Sequence, residues 1–239
     1  MTAPKALTII PIEGVPEVLA GDPIATMLAD AAAAQSSPLT DGDCLVVTQK
    51  IISKAEGRMV RLDPDEPDAR TALIESESVR VLRRRGELVI SETRHGFVCA
   101  NAGVDLSNVE DGFAALLPVD GDKSAHRIRS ALGAQYGLHV AVVISDTFGR
   151  PWRNGLVDVA IGISGIAAIV DLRGTPDALG RRLDVTEIAI ADEVASAAEL
   201  VMGKARNVPA VIMRGLDPAW FSDGSVRRLI RPTNEDLFR

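Results

Sequence analysis

The chain has 239 residues, 26 Lys and Arg against 33 Asp and Glu for a formal net charge of −7, and only five Phe, two Trp and one Tyr. The acidic balance argues against a general nucleic-acid or membrane-surface binder, which needs a basic face, and the scarcity of aromatics argues against a base-stacking platform. The length fits one large domain or two small ones, so residues 1–239 are read as one unit with room for two subdomains, its core built mainly from Ala, Val, Ile and Leu.

The start, MTAPKALTIIPIEG, carries one Lys and a short apolar run, which is not a secretory leader. No stretch reaches the roughly 18 uninterrupted apolar residues of a membrane span, so a soluble cytoplasmic protein is expected. Leu7–Ile12 reads as a strand ended by Glu13-Gly14-Val15-Pro16. Asp22-Pro23 predicts a helix start, with Asp as N-cap and Pro at the first helical position, for the Ala-rich run Ile24–Ala34. Asp41-Gly42-Asp43 is a turn before the buried-strand pattern Cys44–Thr48, and Ile51–Ser53 either continues it or opens a new element. Asp63–Asp68, with two Pro and four acids, is a surface loop.

Arg70–Arg85 places Leu73, Ile74, Val81 and Leu82 at helical spacing, which predicts one helix ended by Gly86. Leu88–Ile90 and Gly96–Cys99 are strand candidates, and Ser124–Leu132 reads as a helix with Lys123, His126, Arg127 and Arg129 outward. Val140–Ile144 is the clearest buried strand, followed directly by Ser145-Asp146-Thr147. Val157–Ile169 is rich in small residues and fits strand or helix; Thr186–Met202 predicts a helix with Gly203 just past its end; Val208–Met213 is a last strand before the charged tail Ser222–Arg239. The uneven alternation means mixed α and β. Cys44 and Cys99 lie too far apart for a disulfide framework or an all-cysteine metal cage, and His95, His126 and His139 lack zinc-ligand spacing.

Neither Gly-x-Gly-x-x-Gly nor Gly-x-x-x-x-Gly-Lys-Ser/Thr occurs. Three segments carry chemistry instead. In VAVVISDTFGRPWRNG (Val140–Gly155) a buried strand delivers Asp146 and Thr147, two hard oxygen ligands suited to Mg²⁺ or Mn²⁺, and Arg150 and Arg153 can clamp phosphates; alternatively Asp146 caps a turn and the Arg residues are solvated. In GFVCANAGVDLSN (Gly96–Asn108), Asp105 offers a second carboxylate and Asn108 a nucleotide contact, or the pair forms an Asx-turn. In VTQKIISKAEGR (Val47–Arg58), Lys50 and Lys54 stand four apart after a buried strand, as phosphate-neutralising charges or as surface Lys of an amphipathic stretch.

These segments, together with IPIEGVP (Ile10–Pro16), LLPVD (Leu116–Asp120), AIGISG (Ala160–Gly165), VTEIAIADEVASAAELVMGKA and VPAVIMRG, keep one order from about Ile9 to Gly215 and resemble the coenzyme F420-0:γ-glutamyl ligases. The resemblance implies an α+β fold of mixed, largely antiparallel sheets with flanking helices, peculiar to the family and assembled as an intertwined homodimer. It implies a GTP-dependent ligase that adds L-glutamate to the deazaflavin F420-0 and then a further γ-linked glutamate through an acyl phosphate, with Mg²⁺ or Mn²⁺ and K⁺. By matching position, Asp105, Asp146 and Thr147 would be metal ligands. Val15, Pro16, Glu17, Val18, Gln49, Lys50, Lys54, Asn108, Met202 and Gly203 would line the GTP site. Lys50, Lys54 or Arg150 would assist phosphoryl transfer, with Asp146 at the reacting centre.

Two departures stand out. Archaeal relatives carry an acid after the Met-Gly turn as ligand to a second metal, where this chain has Lys204, so Asp192 or Glu193 would hold that metal or Lys204 would meet phosphate. Actinobacterial relatives continue into a nitroreductase-like domain, whereas this sequence stops at Arg239, as a stand-alone ligase or an excised domain. The competing functions are a metal-dependent nucleotide hydrolase, another acid–amine ligase, and a GTP- or F420-binding accessory protein. Trp152, beside Arg153, is the best-placed residue to stack on a deazaflavin ring.

Overall fold

The computed structural model describes residues 6–237, so Lys5 of the N-terminal reading and the last two residues of the charged tail lie outside it. In chain order the elements are β1 (Thr8–Ile12), α1 (Ile24–Ala34), β2 (Cys44–Thr48), α2 (Gln49–Ala55), β3 (Met59–Arg61), α3 (Ala69–Glu77), β4 (Ser78–Arg85), β5 (Leu88–Thr93), β6 (Val98–Ala100), β7 (Phe113–Ala115), α4 (Gly121–Tyr136), β8 (Ala141–Gly149), β9 (Leu156–Ser164), β10 (Val170–Asp171), β11 (Glu187–Ile188), α5 (Ile190–Met202) and β12 (Ala210–Arg214). Short 3₁₀ turns punctuate the tail. The result is a mixed α+β fold with largely antiparallel sheets and flanking helices.

The apolar runs of β2 and β8 lie side by side and parallel at the centre of a five-stranded sheet ordered β1-β12-β2-β8-β9, in which every other pairing is antiparallel. Strand alternation sends Leu45, Val47, Val142 and Ile144 into one cluster with Leu28 of α1, Ile52 of α2 and Leu132 of α4. It sends Val46, Val143, Val211 and Met213 to the other face, against Val194, Ala198 and Met202 of α5. Both faces are covered, which is why these strands read as continuous apolar runs rather than as alternating ones. A separate cluster of Ile74, Val89, Ala102, Val104, Ala114 and Leu116 supports the smaller sheets β4-β5-β6 and β3-β7.

Several sequence expectations change. Ser145, Asp146 and Thr147 do not follow the strand; they lie inside it, because the hairpin partner β9 keeps pairing out to Gly149↔Leu156. The register shifts after Ile144, which pairs Gly162, to Ser145, which pairs Ala160, leaving Ile161 as the extra residue of a bulge. The start of α4 packs onto that bulge at backbone distance. A Cβ on Gly162 would fall 2.3 Å from the Gly121 backbone, and one on Gly121 would fall 2.1 Å from the Ile161 carbonyl oxygen.

The stretch read as one helix over Arg70–Arg85 breaks at Ser78, where β4 begins and hairpins to β5. Only Ile74 of α3 is buried, whereas from Ser78 Val79 and Val81 alternate with Arg80, which ion-pairs across the strands with Glu92 at 2.9 Å. Gly86 sits in that hairpin turn rather than at a helix end. Asp22 does not cap α1: its carboxylate accepts the Leu19 amide at 2.7 Å, and the residue before the helix is Pro23. Thr186–Ala189 precedes α5, with Glu187–Ile188 pairing β10, while Ile51–Ser53 falls inside α2 and Val157–Ser164 is strand. Cys44 and Cys99 are both buried and free. No helix among the described residues is long and apolar enough to cross a membrane.

Candidate active site

The parallel pair β2–β8 ends at Thr48↔Ser145; there β2 turns directly into α2 while β8 runs on. The carboxyl end of parallel strands is where an α/β sheet opens a crevice. A cleft of about 380 Å³ occupies it. Its lining brings together Val15, Pro16, Glu17, Val18, Gln49, Lys50, Lys54, Asp105, Asn108, Asp146, Thr147, Met202 and Gly203, residues drawn from five separate parts of the chain. The expected metal and GTP-site residues all line it; Arg150 and Arg153 do not, and Arg150 lies at the tip of the β8–β9 hairpin, donating to the Asn154 carbonyl.

Lys50 and Lys54 lie one turn apart on α2 and both reach the cleft. Lys50 Nζ donates to Asp105 Oδ2 at 2.8 Å, and to the carbonyl and hydroxyl of Ser107. Burial pushes the Asp105 carboxyl up, but hydrogen bonds from Lys50 and Ser107 outweigh it and hold the group below the usual carboxylate range. Lys54 ion-pairs with Glu17, whose own side chain is 74% exposed. Gln49 lines the cleft but spends its amide nitrogen inward, on Ser53 Oγ at 2.6 Å and the Leu116 carbonyl at 2.8 Å. Asn108 Nδ2 donates to the Lys204 carbonyl at 3.1 Å and so ties the Asp105 loop to the turn after α5.

Asp146 is the electrostatic centre. Burial is the largest influence on its carboxyl; the Thr147 amide and Lys204 oppose it, the charges of Asp105 and Asp158 reinforce it, and the group is pushed up to about 7. Asp158 was not anticipated from the sequence. It is buried on β9, opposite Thr147, and accepts hydroxyls from Ser145 at 2.9 Å and Thr147 at 2.7 Å. A lone acid inside the apolar run Leu156–Ser164 was the available signal. Glu199 also lines the cleft, from the last turn of α5. Asp192 and Glu193 sit in the first turn of that helix and do not line the cleft; Asp192 accepts the Ala160 amide at 2.9 Å. Lys204 itself lines the cleft. Trp152 lies outside it, 84% exposed. Among the described residues no three His, Cys, Asp or Glu side chains form a ready metal cage.

Comparison with known proteins places the sequence in a family. The sequence profile of the family described as F420-0:Gamma-glutamyl ligase matches residues 14–215. The chain is 45% identical to the coenzyme F420:L-glutamate ligase of Methanothermobacter thermautotrophicus, covering 98% of this chain and 99% of that protein. It is 41% identical to the Methanopyrus kandleri protein of the same name, covering 95% and 97%, and 42% identical to the Methanocaldococcus jannaschii one, covering 84% and 86%. The cleft residues on β2–α2, the Asp105 loop, β8 and the turn after α5 all fall within the matched span, and the chain belongs to the F420-0:γ-glutamyl ligase family.

Proposed function

We propose that the chain is a GTP-dependent ligase that joins L-glutamate to coenzyme F420-0 and then adds a further γ-linked glutamate, acting in the cytoplasm as a homodimer. The observation that carries this reading is 41–45% identity, over nearly the whole length, to proteins named coenzyme F420:L-glutamate ligase. The cleft adds chemical support: Lys50, Lys54 and Lys204 face a group of carboxylates, a combination suited to phosphoryl transfer. The homodimer rests on the family resemblance alone.

In the first half-reaction an oxygen of the acceptor carboxylate bonds to the γ-phosphorus of GTP, the β–γ bridging bond breaks and GDP leaves. Lys50 and Lys54 neutralise charge on the phosphates, and Lys54 exchanges its solvent-exposed partner Glu17 for phosphate. Val15–Val18 and the Met202–Gly203 turn wall the nucleotide, and Asn108 holds the two sides of the cleft together. In the second half-reaction the glutamate amine bonds to the acyl carbon, phosphate leaves and the amine gives up a proton.

A divalent cation fits the donor set. Asp105 and Asp158 both disfavour the charge of Asp146, and Asp158 accepts the Thr147 hydroxyl beside it; Mg²⁺ is usually held by one or two carboxylates plus substrate phosphates rather than by an all-protein cage. Asp105, Asp146 and Thr147 would hold Mg²⁺ or Mn²⁺, with Asp158 behind Thr147. Such an ion supplies charge stabilisation at the phosphates. K⁺ rests on the family resemblance alone.

The test is coupling. GDP should be released over many turnovers only when F420-0 and L-glutamate are both present with GTP and Mn²⁺, and F420-0 alone should give at most one GDP per site. GDP release at full rate without either would make the chain a hydrolase and sink the ligase reading.

A further inference from the structure

A second cavity, of about 800 Å³, opens between the tip of the β8–β9 hairpin and the β4-β5-β6 sheet. Three of the chain's few aromatic side chains, Phe97, Phe148 and Trp152, line it. Phe97 and Phe148 meet edge to face, with ring centroids 5.9 Å apart. Trp152 stands 84% exposed at φ +64°, a conformation that a bulky residue rarely adopts. Backbone strain combined with an exposed large aromatic is characteristic of a ligand clamp.

The groove and the catalytic cleft touch. Asp146 lines the cleft, its cross-strand partner Val159 lines the groove, and the two are paired in the β8–β9 register. Phe148 follows Asp146 by two residues on the same strand face, about 7 Å further along, and Trp152 lies beyond it. The sequence of β8 therefore runs from the reacting centre to an aromatic shelf.

The rim carries three Arg side chains. Arg80, Arg83 and Arg231 line the groove, against two acids: Asp192, whose carboxylate takes the Ala160 amide, and Asp236. Arg80 also pairs with Glu92. A flat ring system with an anionic tail matches this combination of aromatic floor and Arg edge, and the volume lies within the usual range for a bound small molecule of about 300–1,000 Å³.

We propose that this groove holds the acceptor, with the deazaflavin ring against Phe148 and Trp152 and the carboxylate end of the tail directed to Asp146. The assignment rests on the ligase reading above. A contact surface for a second copy of the chain is the competing occupant. The concave aromatic floor between Arg side chains, of a volume that encloses a single small molecule, favours a small anion with a flat ring.

The experiment measures F420-0 binding by its fluorescence, and its KM in ligation, for wild type, Trp152→Ala and Arg83→Glu. Both side chains are exposed, and among the described residues Arg83 hydrogen-bonds to the carbonyl of its neighbour Leu82, so the melting temperature serves as the fold control. Each variant should weaken F420-0 binding about tenfold, the usual effect of losing one aromatic stack or one charge contact, with the KM for GTP and for glutamate and the sedimentation coefficient unchanged. Unchanged F420-0 affinity in both variants overturns the assignment, as does absence of F420-0 binding to wild type, or loss of a dimer in the variants. A wild type that binds F420-0 through Trp152 but adds no glutamate would instead refute the ligase reading and leave the groove assignment standing.

Discussion

Asp158 on β9 faces Thr147 on β8 in the strand register, and its buried carboxylate accepts the Thr147 hydroxyl at 2.7 Å and the Ser145 hydroxyl at 2.9 Å. One acid thus fixes the residues on both sides of Asp146. Asp158→Ala leaves two hydroxyls without an acceptor and should cost about 1–3 kcal/mol of stability, read as a lower urea midpoint. Asp158→Asn keeps an acceptor oxygen and should stay folded while losing more than about tenfold in ligation rate. Full activity in the Asn variant would show that the charge of Asp158 is not used.

The Lys50–Asp105 ion pair at 2.8 Å bridges α2 and the loop that Asn108 pins to Lys204. Lys50→Met removes both a phosphate-neutralising charge and the group that holds the Asp105 carboxyl low. The expected result is a KM for GTP raised about tenfold with little change in the KM for glutamate. A variant with unaltered GTP kinetics would remove Lys50 from the nucleotide site.

The Asp146 carboxyl, pushed up to about 7 from an ordinary 3.8, binds protons more tightly in the folded chain than in the unfolded one. Its contribution therefore favours the fold below about pH 4 and is lost as pH rises through 7. Metal-free Asp146→Asn should be more stable than wild type at pH 8, by about 2–4 kcal/mol, with the difference vanishing near pH 4. Mn²⁺ competes with that proton for the carboxylate, so apparent metal affinity should tighten by up to about tenfold per unit up to pH 7. Parallel stability profiles of variant and wild type would contradict this account.

Gly162 sits at the bulge beside Ile144, where a methyl group would fall 2.3 Å from the Gly121 backbone. Gly162→Ala must push α4 away from β9 and should cost about 1–3 kcal/mol, lowering the melting temperature. Because the same bulge sets where Asp146 points, activity should fall further than the loss of folded protein accounts for. An unchanged melting temperature would mean that the helix yields without cost.

The central strands were legible because burial on both faces leaves an unbroken apolar run: Cys44–Thr48 and the helix Ile24–Ala34 have the boundaries read from the sequence. The extension of β8 through Asp146 was not, since polar residues look like a strand end until the β9 partner is known. Arg70–Arg85 misled because Val81 and Leu82 continue a helical spacing by coincidence, while the pairing of Arg80 with Glu92 is invisible locally. In the site, Lys50, Lys54, Asp105 and Asp146 stood out as charges next to apolar runs, and all line one cleft. Asp158 and Glu199 were missed because each is a single acid whose meaning depends on what faces it across the sheet.

The most direct measurement is mass spectrometry of F420-0 incubated with the protein, GTP, Mn²⁺ and L-glutamate, run beside Asp146→Asn. The account predicts a product heavier by whole glutamyl residues with wild type, and unmodified F420-0 with a folded Asp146→Asn. Unmodified F420-0 with wild type, or equal glutamyl product from the variant, would contradict it.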